Sequence, residues 1–165
     1  MTDRVEAFEN LCRMMFKGNP GDHFHQLGID VLGAGKGWFK LFMDCKPELV
    51  GNPETGVIHG GPITALLDTC CGFAASSALE NPGICPTIDL RIDYMKPAEP
   101  NKRIFAEAEA YRVTRNVVFT RGKAFQDDPE NPIAFCVGNF ARLDKSASEM
   151  VKEHMKQALQ KGGEQ

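Results

Sequence analysis

The apolar and polar positions along the chain predict three helices, one near each end and a long one in the middle. Residues 3–17 carry apolar side chains at helical spacing, and a Gly-Asn-Pro-Gly turn ends that helix. Residues 62–78 have a helical pattern but are small and apolar over nearly the whole circumference, with Asp68 as their only carboxylate. A polar, charged helix is expected over residues 146–160. A helix without a polar face has to be enclosed, so we expect a sheet to curl around the central one.

Strand patterns precede and follow the central helix in runs. They do not alternate with helices, which favours an α+β fold with an antiparallel sheet. A short Arg115-Asn116 connection between two of the strands predicts a hairpin. The six strand patterns lie at residues 27–32, 38–43, 87–94, 103–113, 117–125 and 133–143.

Length and composition indicate one ordinary globular domain over residues 1–165. The chain is 42% hydrophobic and 25% charged, with a formal net charge of −3. Lysine and arginine form no dense run, which argues against a nucleic-acid partner. No apolar stretch is long enough to cross a membrane, and the first residues lack the apolar segment of a signal peptide, so we expect a cytoplasmic protein without membrane association.

Cysteine and histidine spacing argues against a metal site and against a disulfide framework. No two cysteines form a Cys-x-x-Cys pair, and we expect most of them to be small core residues with free thiols. His23 and His25 have no carboxylate or cysteine at ligand spacing, which favours loop histidines. The six cysteines are Cys12, Cys45, Cys70, Cys71, Cys85 and Cys136.

The residues with the clearest chemistry lie at the start of the central helix and one third of the way along it. Gly60 and Gly61 leave backbone N–H groups open to an incoming oxygen at the positive end of the helix, where they could stabilise an oxyanion. The Asp68 carboxylate could act as a general base on water or attack a thioester directly. These features suggest acyl transfer. The alternative is that Gly-Gly-Pro simply starts a helix.

His59 and Asp68 lie on opposite sides of the helix and about 13 Å apart along it, so they form no dyad within one chain. If they act together, they do so across a subunit interface, which predicts a dimer with active sites between protomers. Alternatively, His59 only caps or braces the turn. The face around Asp68 consists of small residues and is expected to leave room for another chain or a ligand. These residues are Gly61, Thr64, Ala65, Cys71, Gly72 and Ala75.

Together these residues resemble the hotdog-fold acyl-CoA thioesterases, specifically their phenylacetic-acid-degradation (PaaI-like) branch. The resemblance rests on His59-Gly60-Gly61, on Asp68 nine residues after the histidine, and on the strand 87–94 entering a Tyr-x-x-Pro segment. It covers residues 24–143, so the helices at 3–17 and 146–160 are additions. It implies an antiparallel sheet wrapped around the helix, dimers or tetramers, and metal-free hydrolysis of acyl-CoA. No cofactor is implied, because coenzyme A is part of the substrate.

The resemblance also implies roles for individual residues. The Gly60 N–H polarises the thioester carbonyl, while Asp68 of the partner subunit is the base or nucleophile. Thr87 positions water or the carboxylate, and His59 orients the loop or the thioester. Asn52 is the candidate for the asparagine that the family carries upstream. The residues expected to bind the rest of the substrate, including the phosphates of coenzyme A, are Gly61, Lys96, Arg115, Asn116 and Lys123.

Three other functions are compatible with the same fold. A non-catalytic acyl-CoA binding module would have no need for a buried carboxylate facing the thioester, and neither would a purely structural oligomer. A hydratase or dehydratase of this fold uses a different arrangement of histidine and carboxylate. The acyl group is left open by the sequence, with small aryl and medium-chain groups both possible.

Overall fold

One six-stranded antiparallel sheet packs against a long central helix, α3. The computed structural model describes residues 2–18 and 22–143. The helices are α1 (Thr2–Gly18), α2 (His23–Leu27) and α3 (Gly60–Ser77). The strands are β1 (Ile29–Gly35), β2 (Trp38–Met43), β3 (Val50–Asn52), β4 (Val57–Ile58), β5 (Thr87–Tyr94), β6 (Ile104–Val113), β7 (Val117–Phe125) and β8 (Ala134–Ala141).

The sheet has the strand order β1-β2-β6-β7-β8-β5, with every neighbouring pair antiparallel. β5 follows α3 in the chain but pairs with β8, and it therefore forms one edge of the sheet. β3 and β4 form a separate two-stranded hairpin that leads directly into α3. The α+β class with an antiparallel sheet and a long central helix, predicted from the pattern, is confirmed.

Most predicted elements are present with small shifts at their ends. β2, β5 and β7 have the predicted bounds, and α3 begins two residues earlier than predicted. β1 begins two residues later than predicted, because residues 23–27 form α2 instead. The hairpin of β3 and β4 was not predicted, since strands of three and two residues are too short to show a period. The helix predicted at 146–160 lies outside the described residues.

The core lies between α3 and the inner face of the sheet. Along β2, Phe39, Leu41 and Met43 are completely buried, as the period-two pattern requires. Leu66 and Leu67 of α3 are also completely buried. Each such side chain contributes about 1.5–3 kcal/mol through removal from water. α3 is thereby held over the middle strands.

Small residues on the inner face of the sheet let α3 approach closely. Ala106 and Ala108 of β6 and Gly122 of β7 lie beneath the helix and are buried. A Cβ atom at Gly122 would lie 3.0 Å from the Glu107 carbonyl oxygen and 3.1 Å from the Cys71 sulfur. The position has no room for a side chain, so the glycine sets the distance between helix and sheet.

We expect Gly122→Ala to lower the free energy of unfolding by about 1–3 kcal/mol, because backbone and a buried thiol must shift to admit the methyl group. Urea unfolding measures the change. Gly72→Ala is the matched control on α3: its Cβ would lie 3.4 Å from the Phe140 ring, an ordinary contact. That variant should be at least as stable as the parent, because alanine favours a helix over glycine by about 1 kcal/mol. Equal stability of the two variants would contradict the close packing described.

Candidate active site

Asp68 lies in the middle of α3 with its carboxylate half-buried. The Thr87 hydroxyl, at the first residue of β5, donates a hydrogen bond of 2.8 Å to Asp68 Oδ1. The contact joins residues 19 positions apart, so the edge strand orients the carboxylate. Among the described residues, no donor is placed on the second oxygen of Asp68. The structure thus brings together two of the residues selected from the sequence.

The first turn of α3 is capped by His59. Its Nδ1 accepts a hydrogen bond of 2.9 Å from the Gly61 N–H, which requires a neutral ring with its hydrogen on Nε2. The prediction of two open N–H groups is therefore wrong for Gly61, because a side chain two residues earlier satisfies it. At Gly60 no acceptor among the described residues takes the N–H, as expected at the first helical position.

Tyr94, the last residue of β5, holds the same turn from the other side. Its hydroxyl donates to the Gly60 carbonyl at 2.8 Å and lies 2.8 Å from Thr64 Oγ1, which itself donates to the Gly60 carbonyl at 3.1 Å. A Cβ atom at Gly60 would lie 3.1 Å from the Tyr94 hydroxyl. Tyr94 and Thr64 were not assigned roles from the sequence. The sequence identified Tyr94 as part of the Tyr-x-x-Pro segment, but the contact of its hydroxyl with Gly60 is seen only in the folded structure.

The two ends of the candidate site are separated within one chain. Gly60 and Asp68 are eight residues apart on a continuous helix, which corresponds to about 12 Å along its axis. Tyr94 and Thr87, which hold them, lie at opposite ends of β5, about 23 Å apart along the strand. One chain therefore does not place the Gly60 N–H and the Asp68 carboxylate on the same small substrate group.

Beside Asp68 and Thr87 a cavity of about 440 Å³ lies between α1, α3 and residues 82–86. Apolar side chains dominate its lining. The prediction that the small-residue face of α3 is open holds only in part, because Cys71 and Ala75 are completely buried. Cys71 instead lies against the sheet, with its sulfur 3.5 Å from that of Cys136. The sheet wraps further around the helix than the bulky residues alone indicate, and the open side lies along Thr69 and Gly72.

Burial closes off the cysteines around α3, including Cys71, whose thiol pKa is lowered by the hydrogen bond with Cys136 but whose side chain is completely buried. Burial raises the pKa of the Cys70 thiol well above its usual 9.0 and that of Cys85 to about 11. A hydrogen bond with Cys71, reinforced by burial, raises the pKa of Cys136. Thiols that stay protonated are poor nucleophiles. All six cysteines are free and five are buried, as expected from the sequence.

Asn52 makes its described contacts within the β3–β4 turn. Its side-chain oxygen accepts from the Glu54 N–H at 3.0 Å, and its carbonyl accepts from the N–H groups of Thr55 and Gly56. The side chain thus shapes the turn that delivers the chain to His59. None of the contacts described for it joins Asp68 or Gly60.

The cations selected for coenzyme A occupy different environments. Arg115 and Asn116 are exposed at the β6–β7 hairpin, which adjoins the Thr87 end of β5, and Lys96 is exposed beyond the Tyr94 end. Lys123 instead lies 3.3 Å from both Glu107 and Glu130. Partial desolvation would lower the pKa of Lys123, but the hydrogen bonds to the two carboxylates outweigh it and raise that pKa. Lys123 is therefore already neutralised within the chain.

Neither a metal site nor a membrane span is present in the part of the chain that the structure describes. Among these residues no group of three histidine, cysteine, aspartate or glutamate side chains is placed to hold a metal ion. His23 and His25 belong to the short helix α2, which Asp22 caps by accepting the His25 N–H at 2.8 Å, rather than to a loop. No described helix is both long enough and apolar enough to cross a membrane.

Comparison with known proteins identifies the family. Residues 55–133 match the model of the thioesterase superfamily, an interval that includes His59, Gly60, Asp68, Thr87 and Tyr94. A Pseudomonas aeruginosa protein of known crystal structure is 47% identical, with a TM-score of 0.71 over 82% of this chain and 99% of that one. These matches define the hotdog class of folds. The chain belongs to the thioesterase superfamily, as its sequence predicted.

Two further relatives show the breadth of the likeness. The medium/long-chain acyl-CoA thioesterase YigI of Salmonella typhimurium is 28% identical over 62% of this chain and 74% of that protein. The phenylacetic acid degradation protein PaaI of Thermus thermophilus is 24% identical, with a TM-score of 0.64 over 74% of this chain and all of that one, and shares the fold. The chain spans between 61% and 74% of the length of the curated relatives it matches.

We expect His59→Ala to lower the free energy of unfolding by about 1 kcal/mol, because the Gly61 N–H loses its acceptor at the helix cap. His59→Asn should retain most of the stability, since asparagine is among the best capping residues. Chemical denaturation of both variants measures the difference. The exposed His23 supplies the control, and His23→Ala should change stability by less than about 0.5 kcal/mol. A His59→Ala protein as stable as the parent would remove the capping role.

Proposed function

We propose that this protein is an acyl-CoA thioesterase that hydrolyses an acyl-CoA to the free acid and coenzyme A. The observation that carries the proposal is the Asp68 carboxylate, oriented by the Thr87 hydroxyl at 2.8 Å and placed at the end of an apolar cavity. Membership of the thioesterase superfamily and the likeness to YigI, named as an acyl-CoA thioesterase, support it. A binding module or a structural protein has no use for such a carboxylate.

Asp68 is the group that drives the chemistry. As a general base it takes a proton from water while the oxygen of that water attacks the thioester carbonyl, and the tetrahedral intermediate expels the coenzyme A thiolate. As a nucleophile its free oxygen attacks the same carbon, the thiolate leaves, and water then hydrolyses the mixed anhydride. In both routes the hydrogen bond from Thr87 fixes which oxygen of Asp68 is free to react.

The Gly60 N–H supplies the oxyanion site. It is the first N–H of α3, at the positive end of the helix, and the cap at His59 and the hydroxyl of Tyr94 fix the turn that carries it. A fixed donor aimed at the carbonyl oxygen stabilises the charge that develops there during attack. The Gly61 N–H serves the helix cap, so Gly60 alone carries this role.

A two-fold dimer through β5 unites the separated halves of the site. β5 is an edge strand, and Ile88, Tyr94 and the following Met95 are between 51% and 60% exposed. Antiparallel pairing of β5 with its copy sets the Thr87 end of one chain beside the Tyr94 end of the other. Asp68 of each protomer then faces Gly60 of the partner subunit. The same pairing brings Arg115 and Asn116 near Lys96 of the partner subunit, where the coenzyme A phosphates bind.

We expect Asp68→Asn to reduce kcat/KM on the order of 10²–10⁴-fold, because the amide can neither accept the proton nor form the anhydride. Release of free coenzyme A, followed with a thiol-reactive dye over aryl- and alkyl-CoA substrates, measures the rate. Glu109→Gln, which removes an exposed carboxylate from β6, away from the edge strand, is the control and should leave the rate unchanged. A fully active Asp68→Asn protein would exclude the assignment.

Single-turnover hydrolysis in ¹⁸O-labelled water tests the nucleophilic role of Asp68. Label recovered in the Asp68 carboxylate after one turnover requires an anhydride opened at the aspartyl carbon. Label found only in the released acid results from direct attack by water and equally from an anhydride opened at the acyl carbon. Mass spectrometry of the peptide that contains Asp68 and of the product acid measures both.

We expect Asp68→Ala and Gly60→Pro to complement each other when mixed, although each alone is nearly inactive. Proline removes the Gly60 N–H, suits the first helical position, and is compatible with the extended His59 backbone at φ −62° and ψ 146°. In a randomly mixed dimer about a quarter of the sites hold both intact groups, so about a quarter of the parental activity should return. Gly60→Ala keeps the N–H and controls for added bulk. No recovery in verified mixed dimers would contradict an interface site.

A further inference from the structure

The cavity beside Asp68 is a groove whose long wall is the N-terminal helix α1. Along α3 it extends from Asp68 to Ser76, eight residues or about 12 Å. Phe8, Leu11 and Met15 of α1 form the opposite wall. α1 lies outside the interval of the superfamily match, residues 55–133.

The chemistry of the groove suits a hydrocarbon chain. At the end far from Asp68, the Ser76 hydroxyl donates to the Gly83 carbonyl at 2.6 Å and accepts from the Gly83 N–H at 3.0 Å. That serine is satisfied within the chain and offers nothing to a ligand. Polar groups able to react are thus concentrated at the Asp68–Thr87 end, with apolar surface beyond them. A thioester at Asp68 would direct its acyl group into that apolar part.

The wall formed by α1 is fixed in place by aromatic contacts. Phe8 packs edge-on against Phe39 and Phe73, with ring centroids 6.1 and 6.0 Å apart, and Phe16 packs against Phe73 at 5.6 Å. Leu11, one turn from Phe8, is nevertheless 53% exposed because the groove opens to solvent beside it. An apolar ligand in the groove would cover Leu11 and gain from its burial.

We infer that α1 is the acyl-selecting element of this enzyme, and that Leu11 and Met15 adapt the groove to straight acyl chains of medium length. The inference rests on the proposed thioesterase function and names its substrate class. An extended chain advances roughly 1.1–1.2 Å per bond, as the polypeptide backbone does, so a groove of about 12 Å takes about ten bonds. Acyl groups of about eight to ten carbons therefore fill it, whereas a single aromatic ring would leave its far half empty.

The test is the chain-length profile of kcat/KM for straight-chain acyl-CoA substrates from C4 to C16, with phenylacetyl-CoA included. For the parent protein we expect a rise of about fourfold per added methylene up to about C8–C10, followed by a plateau or a fall. Met15→Trp, on α1, and Ile84→Trp, on the facing segment, should each lower the C10 value about tenfold or more and change the C4 value less than about twofold.

Met14→Trp is the matched control. Met14 lies on the same helix and is 71% exposed, but it does not line the groove, so the profile should stay as in the parent. Thermal unfolding of each variant identifies any that fail to fold. Because Met15→Trp and Ile84→Trp alter different walls of the groove, either variant alone can decide the test if the other is unfolded.

The outcomes separate this inference from the proposed function. A parent protein that hydrolyses none of the thioesters overturns the proposed function. A parent that is active, with the same profile in folded Met15→Trp and Ile84→Trp, overturns the acyl groove and leaves the thioesterase intact. A change of oligomeric state without a change of profile assigns the groove to a second copy of the chain and overturns the inference as well.

Discussion

The attachment of α3 to both ends of β5 is the constraint on which the site depends. At one end Thr87 donates to Asp68, and at the other Tyr94 donates to the Gly60 carbonyl. A helix lying on a curved sheet could otherwise rotate or slide, because apolar contacts have little directional preference. Two directional hydrogen bonds at separate points fix its rotation and its position along the axis. The carboxylate and the helix terminus are therefore oriented by the same strand.

Close packing makes those attachments possible. Because Ala106, Ala108 and Gly122 are small, α3 lies close to the inner face of the sheet. The hydroxyl groups of Thr87 and Tyr94 on β5 are therefore near enough to bond to the helix. On the outer face, Lys40 and Lys123 flank Glu107 at 3.1 and 3.3 Å. Partial burial alone would raise the pKa of Glu107, but hydrogen bonds from the two ammonium groups outweigh it and lower that pKa. The small apolar residues and the charged residues of these strands thus lie on opposite faces of the sheet.

Much of the fold was predictable because its long elements are strictly periodic. β2 and β7 alternate cleanly, and α3 shows small and apolar residues at every turn, so their positions follow from the pattern. α2 and the β3–β4 hairpin were missed, since elements of two to five residues are too short to show a repeating pattern. Of the candidate site, the sequence indicated residues that the structure shows in contact, Thr87 with Asp68, and the capping role of His59. Whether the Gly61 N–H is free or hydrogen-bonded could not be predicted, because it depends on the rotamer of His59. The groove against α1 was not predictable either, as it requires contacts between residues far apart in the chain.

The position of β5 at the sheet edge also affects how the protein acquires its structure. β5 pairs with β8, which begins 40 residues after β5 ends. β5 can therefore join the sheet only after the three later strands β6, β7 and β8 are available. Non-local pairing of this kind closes a long loop before any contact stabilises it, and it slows folding. A chain still being synthesised can build the helix that carries Asp68 long before Thr87 has a fixed position. The geometry of the candidate site is accordingly completed together with the last strand. Until then the partly apolar β5 is exposed to incorrect pairing.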